Sequence, residues 1–144
     1  MRETFISDSV DSETCLATIK EAFEEHQYLL DPHTAVAYRV AQNLRGTNPV
    51  LIASTAHWAK FGINVYRALH GIAPSDPLPD EVAALSGCEL NELISRETGG
   101  SAIPQGLAQL DSKPVRFTEV IDAGAESIRM AALKFLDELS SRQA

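Results

Sequence analysis

The sequence is poor in cysteine and in positive charge, and it has no long apolar run. Only Cys15 and Cys88 occur among 144 residues. Neither falls in a CxxC or other metal-ligand spacing, which excludes a disulfide framework and points to a reduced, cytoplasmic compartment. Lys and Arg number 12 against 20 Asp and Glu, for a formal net charge of −8. That balance excludes the basic footprint that nucleic acid or an anionic membrane surface requires. No apolar stretch reaches membrane-spanning length. The opening residues MRETFISDSVDSE are acidic and lack an apolar core, so they read as neither a signal peptide nor a transit sequence. Internal repeats and low-complexity segments are also missing.

What is present suits one domain over residues 1–144, since 44% of the chain is hydrophobic and domains of about 100–150 residues are the commonest size. The expected fold class is α/β, a helix-rich chain with a small, mostly parallel sheet covered by helices. Asp11 or Ser12 can cap a first helix, with Cys15, Ile19, Ala22 and Phe23 at helical spacing. Asp31 can cap a second, with Pro32 at its first position, Val36, Val40 and Leu44 as its stripe, and Gly46 at its end. Val50 to Ala53 rise from Pro49 as a run without alternation, which predicts a short buried strand. A third helix is expected over 59–70, closed by Gly71, and a proline-punctuated loop over 73–79. Short helices are expected from Asp80, around Leu90 to Ile94, and after Pro104. Val115, Phe117 and Val120 suggest a strand, and 123–139 gives the strongest amphipathic pattern in the chain.

Two polar clusters interrupt this pattern, Asp31-Pro32-His33-Thr34 and Ser54-Thr55-Ala56-His57, the second at the end of the apolar run. Ends of buried strands are where sites gather in α/β folds. The segments YLLDPHTAVA and STAHWAKF together resemble two blocks near the C-terminus of threonine synthases, pyridoxal-phosphate enzymes that convert O-phosphohomoserine and water into threonine and phosphate. The family usually reads STAHPAKF. Trp58 stands at the proline, a departure also compatible with the threonine-synthase-like phospholyase branch. The resemblance is specific from about Phe5 to Leu69 and weaker beyond.

The resemblance implies part of the large domain of a fold type II pyridoxal-phosphate enzyme. In that class a hydroxyl contacts the pyridine nitrogen, and the motif places Thr55 there, with Ser54 as the alternative because one step along a strand reverses the side chain. A neutral hydroxyl would make the cofactor a modest electron sink. His57 can orient the site or approach a substrate phosphate, or it can simply cap the following helix. Asp31 is explained by capping alone, which is its expected principal role, and it is also a substrate-site candidate. His33 and Thr34 lie in a first helical turn, where free N–H groups and the dipole suit an anion such as phosphate. Lys60 matches the lysine of the AKF segment, not the lysine that holds the cofactor as a Schiff base. Trp58 is expected to pack rather than to stack on a cofactor.

Two parts of the family pattern are missing. The glycine-rich SGNFGN-like phosphate loop does not occur, Thr98-Gly99-Gly100-Ser101 being read as a turn, and the N-terminal half with the cofactor lysine is not in this sequence. The expected reading is the C-terminal part of a threonine synthase, inactive alone, whose partner is the N-terminal portion and whose small-molecule substrate is a phosphoamino acid. A stand-alone binding or regulatory module is the alternative from another class. A small hydrolase built on His57 or His33 finds no GxSxG elbow.

Overall fold

The computed structural model describes residues 5–116 and 118–141, and contacts divide the chain into two units, Met1–Lys113 and Pro114–Ala144. In the first unit, α1 (Ser12–His26) and α2 (Pro32–Leu44) are followed by a 3₁₀ turn (Trp58–Lys60) and α3 (Gly62–His70). Then come α4 (Asp80–Ala83), α5 (Gly87–Glu97), α6 (Gln105–Ala108) and a second 3₁₀ turn (Leu110–Ser112). The second unit holds α7 (Ala125–Ser141).

No strand forms among the described residues, so the expected parallel sheet is overturned and the fold is helical. The run Val50 to Ala53 is extended but unpaired. Leu51 is 97% exposed and Val50 is exposed beside it, opposite to what a strand covered on both faces requires. A four-residue apolar run carries no periodicity that distinguishes strand from coil, and a strand needs a neighbour to satisfy its backbone. The second expected strand is absent too: Val115 and Val120 are exposed without ladder partners, and Phe117 lies outside the described residues.

Helix ends follow local chemistry closely. Asp11 caps α1 by accepting from the Thr14 amide at 2.7 Å, and the backbone hydrogen bond holds its carboxyl below the usual range. Gln27, with φ of 55°, turns the chain out of α1, and Gly71, with φ of 66°, ends α3. Gly46 does not end α2: the cap is Arg45 in extended backbone. The helix expected over 59–70 is broken at Phe61, where the 3₁₀ turn hands over to α3. α5 is longer than Leu90 to Ile94 alone suggest. Ser86 and Glu89 form a reciprocal capping box that nucleates it.

Two apolar clusters hold the first unit. One joins Cys15, Ile19, Ala22, Leu30, Ala35 and Ala68 where α1, α2 and α3 meet. The other gathers Leu29, Trp58, Val65, Tyr66, Leu90 and Ile94 under the 3₁₀ turn, α3 and α5. Leu29 and Leu30 face one cluster each, so the short link between α1 and α2 is pinned on both sides. Arg39 adds a polar tie by donating to Thr18 at 2.9 Å and pairing with Glu21. In the second unit, α7 buries none of its apolar residues, and Ile128, Phe135, Leu136 and Leu139 are exposed.

α3 meets α5 most closely at Gly62. A Cβ there would stand 2.7 Å from Asn91 Oδ1 and 3.4 Å from Leu90 Cδ2. Asn91 is buried and cannot swing away freely, because its Nδ2 donates to the Ala59 carbonyl at 2.8 Å. Gly62→Ala is therefore expected to destabilise by about 1–3 kcal/mol, although alanine is the better helix former. A urea midpoint equal to wild type would show that Asn91 yields without cost.

Candidate functional site

The link before α2, the extended segment before the 3₁₀ turn and the turn after α5 enclose a cleft of about 200 Å³. Leu29, Leu30, Ala56 and Trp58 supply its apolar surface, and Asp31, Thr34, Ser54 and His57 its polar edge. Both polar clusters of the sequence therefore meet in one place.

Asp31 is the anchor. It is 2% exposed and caps α2, its Oδ1 accepting from the His33 and Thr34 amides at 3.0 and 3.3 Å. Its Oδ2 accepts from the Thr34 hydroxyl, and Thr34 Oγ1 lies 2.9 Å from Ser54 Oγ. That last contact ties the two motif blocks across 20 residues of chain. Two amides that would face an anion at the start of α2 are already used, and a carboxylate sits among them. A phosphate would meet like charge there.

The remaining residues separate clearly. His57 is half-buried and caps the 3₁₀ turn, Nδ1 accepting from the Ala59 amide at 3.2 Å, which leaves the proton of the neutral ring on Nε2. His33 does not line the cleft. Its ring packs against Phe61 at 4.9 Å, and its Nδ1 stands 3.4 Å from Asp31 Oδ1. Thr55 is exposed, outside the cleft lining, and makes no hydrogen bond. Lys60 is exposed and also outside it. Trp58 is buried in the α3–α5 cluster and also lines the cleft.

Some lining residues escaped the sequence reading. Gln27 to Leu30 contribute because the chain doubles back after α1, and Ser101 and Ala102 arrive from a distant turn. Ser95 pins that turn by donating to the Ser101 carbonyl at 2.8 Å. Nothing in residue spacing signals such an approach.

The cleft fits one end of a pyridoxal-type ring and not the other. It offers an apolar wall and a hydroxyl for a ring nitrogen, but its lining holds no lysine or arginine to meet a phosphate. No group of three or more His, Cys, Asp or Glu residues among the described residues is placed to hold a metal ion. No helix there is long and apolar enough to cross a membrane.

Residues 34–92, which include Thr34 and the Ser54 to His57 block, match a family of enzyme C-terminal regions. The family model matched over those residues is "Threonine synthase, C-terminal". The chain is a threonine-synthase-like C-terminal segment. It is 43% identical over 70 residues to "Threonine synthase-like 1" of Mus musculus, covering 48% of this chain and 9% of that protein. To "Threonine synthase" of Pseudomonas aeruginosa it is 33% identical over 113 residues, 77% of this chain and 22% of that protein. To that of Saccharomyces cerevisiae it is 36% identical over 95 residues, 57% and 18% respectively. The chain thus spans less than a quarter of each of these relatives. No solved structure matches it.

Proposed function

We propose that this chain is the C-terminal part of a threonine synthase, which converts O-phospho-L-homoserine and water into L-threonine and phosphate in the cytoplasm with pyridoxal phosphate. The observation that carries the reading is the 2.9 Å contact from Thr34 to Ser54, by which the two family blocks build one cleft edge. When bound, the cofactor supplies an electron sink for carbanions. The chain's own residues hold the edge of the ring. Ser54 takes the nitrogen contact in place of Thr55, because Ser54 lines the cleft and is fixed by Thr34, whereas Thr55 is fixed by nothing. Leu29 and Trp58 keep water from one side, and His57 stays at the rim with Nε2–H as its donor.

Alone the chain is inactive in this reading. Its cleft lining has no lysine to hold the cofactor and no cradle for its phosphate. Both come from the N-terminal portion of the enzyme, which is the partner. Val50, Leu51 and Tyr28 are exposed apolar residues near the cleft blocks and suit contact with that portion. Mixing the chain with an N-terminal threonine-synthase portion that carries the cofactor lysine is expected to release phosphate from O-phosphohomoserine. Neither piece should do so alone, and a silent mixture would overturn the proposal. Trp58, standing where the family usually has proline, favours a second reading, a phospholyase acting on a related phosphoamino acid. It predicts phosphate release without threonine in the same assay.

A further inference from the structure

The start of α3 faces a second cavity of about 550 Å³, which shares no lining residue with the cleft. Its walls are the 3₁₀ turn before α3, the first turns of α3 and α5, and α6 with the 3₁₀ turn that follows it. Here α3 begins uncapped. Phe61 offers no side-chain acceptor, and the first amide of the helix with a backbone acceptor is that of Val65, on the Phe61 carbonyl at 3.0 Å. The amides of Gly62, Ile63 and Asn64 are left over at the positive end of the helix dipole, and all three residues line the cavity. Lys60 lines it too, with no ion-pair partner among the described residues. These groups suit an anion.

An acceptor without a donor stands beside them. Asn91 is 5% exposed and lines the same cavity; its Nδ2 is used on the Ala59 carbonyl at 2.8 Å, and its Oδ1 has no partner among the described residues. A Cβ on Gly62 would stand 2.7 Å from that oxygen, so the unmet acceptor lies against the first residue of α3. A buried amide oxygen left unpaired is costly, and a ligand that brings an N–H removes the cost.

We infer that this cavity binds a free α-amino acid with an apolar side chain, its carboxylate on the α3 amides and Lys60 and its ammonium on Asn91 Oδ1. In such a ligand the carboxylate and the ammonium are bonded to one carbon, which matches an acceptor placed next to a set of amide donors. Phosphate or a simple carboxylate would satisfy the amides but leave Oδ1 without a donor. A simple amine would do the reverse. Lys60 and Asp111 give the lining one charge of each sign, as a zwitterion requires. Asp111 is kept ionised by hydrogen bonds from Ser86 and Cys88, which hold its carboxyl below the usual range. Ile63, Leu90 and Leu107 supply the apolar wall for the side chain. The site is separate from the cleft, and it does not depend on the reading of the chain as part of a threonine synthase.

L-Leucine is the probe. Titrated into the ¹⁵N-labelled 144-residue chain, it is expected to shift the amide signals of Gly62, Ile63 and Asn64 with a Kd below about 1 mM. Leucinamide, which lacks the carboxylate, and isocaproate, which lacks the ammonium, should each bind at least about tenfold more weakly. Lys60→Gln, at an exposed position, should weaken leucine binding about threefold to tenfold with an unchanged circular dichroism spectrum. Asn91→Leu should abolish binding; if that variant fails to fold, the isocaproate comparison tests the ammonium contact in the wild-type chain. No shift at about twentyfold above the expected Kd overturns the inference. So do shifts confined to residues 54–58, or equal binding of leucine and either analogue.

Discussion

Trp58→Ala is expected to lower the free energy of unfolding by about 3–5 kcal/mol, the usual cost of truncating a buried tryptophan. Trp58 is 5% exposed and shares its cluster with Leu29, Val65, Tyr66, Leu90 and Ile94. Those partners come from the link before α2, from α3 and from α5, which do not pack on one another through a sheet. The indole is the common filler among them. Neighbouring backbone cannot close the hole easily, because the 3₁₀ turn is held by the Phe61 amide donating to the Trp58 carbonyl at 2.8 Å and by the His57 cap. Far-UV circular dichroism in urea measures the loss, since the substitution removes the only tryptophan fluorophore. A change below about 1 kcal/mol would mean that the cluster collapses around alanine. Trp58→Phe should recover most of the loss. Such recovery would also separate packing from ring stacking, because phenylalanine keeps the apolar fill and gives up the indole N–H.

The same residue shows where sequence reading succeeds. Trp58 was expected to pack, and it packs, because a large apolar side chain next to small residues has few other outlets in a helical segment. Caps were legible for a similar reason. Asp11 before its helix, Asp31 before Pro32, and Gly71 at a left-handed turn all act within a few residues of backbone. Ser86 and Glu89 carried an equally local signal for α5. Val50 to Ala53 failed on the other kind of information. A strand is defined by its neighbours, and composition cannot supply a neighbour that the chain does not fold.

The choice between Ser54 and Thr55 turned on that same error. Alternation along a strand made either facing admissible, whereas the actual backbone is unpaired and the facing is set by one tertiary bond. That bond comes from Thr34, whose own hydroxyl is set by the α2 cap. The two motif blocks meet at the cleft edge, where the α2 cap holds Thr34 against Ser54. For Asp31 the structure shows the capping role, Oδ1 accepting from the His33 amide and Oδ2 from the Thr34 hydroxyl.

Asp31→Ala is expected to cost about 2–4 kcal/mol, combining a lost N-cap with a Thr34 hydroxyl left in a buried site without its acceptor. Asp31→Asn should behave differently. Asparagine caps helices about as well as aspartate, so the folded state should stay within about 1 kcal/mol of wild type. Its second terminal atom, however, is a donor where Oδ2 was an acceptor. Thr34 must then accept from Asn and give its proton to Ser54, and the direction of these two hydrogen bonds reverses with the fold intact. Urea unfolding of both variants checks the first half: an alanine variant as stable as wild type would remove Asp31 as the anchor of the link before α2. The asparagine variant checks the second: unfolding well below wild type would show that the carboxylate itself, and not only the cap, holds this link.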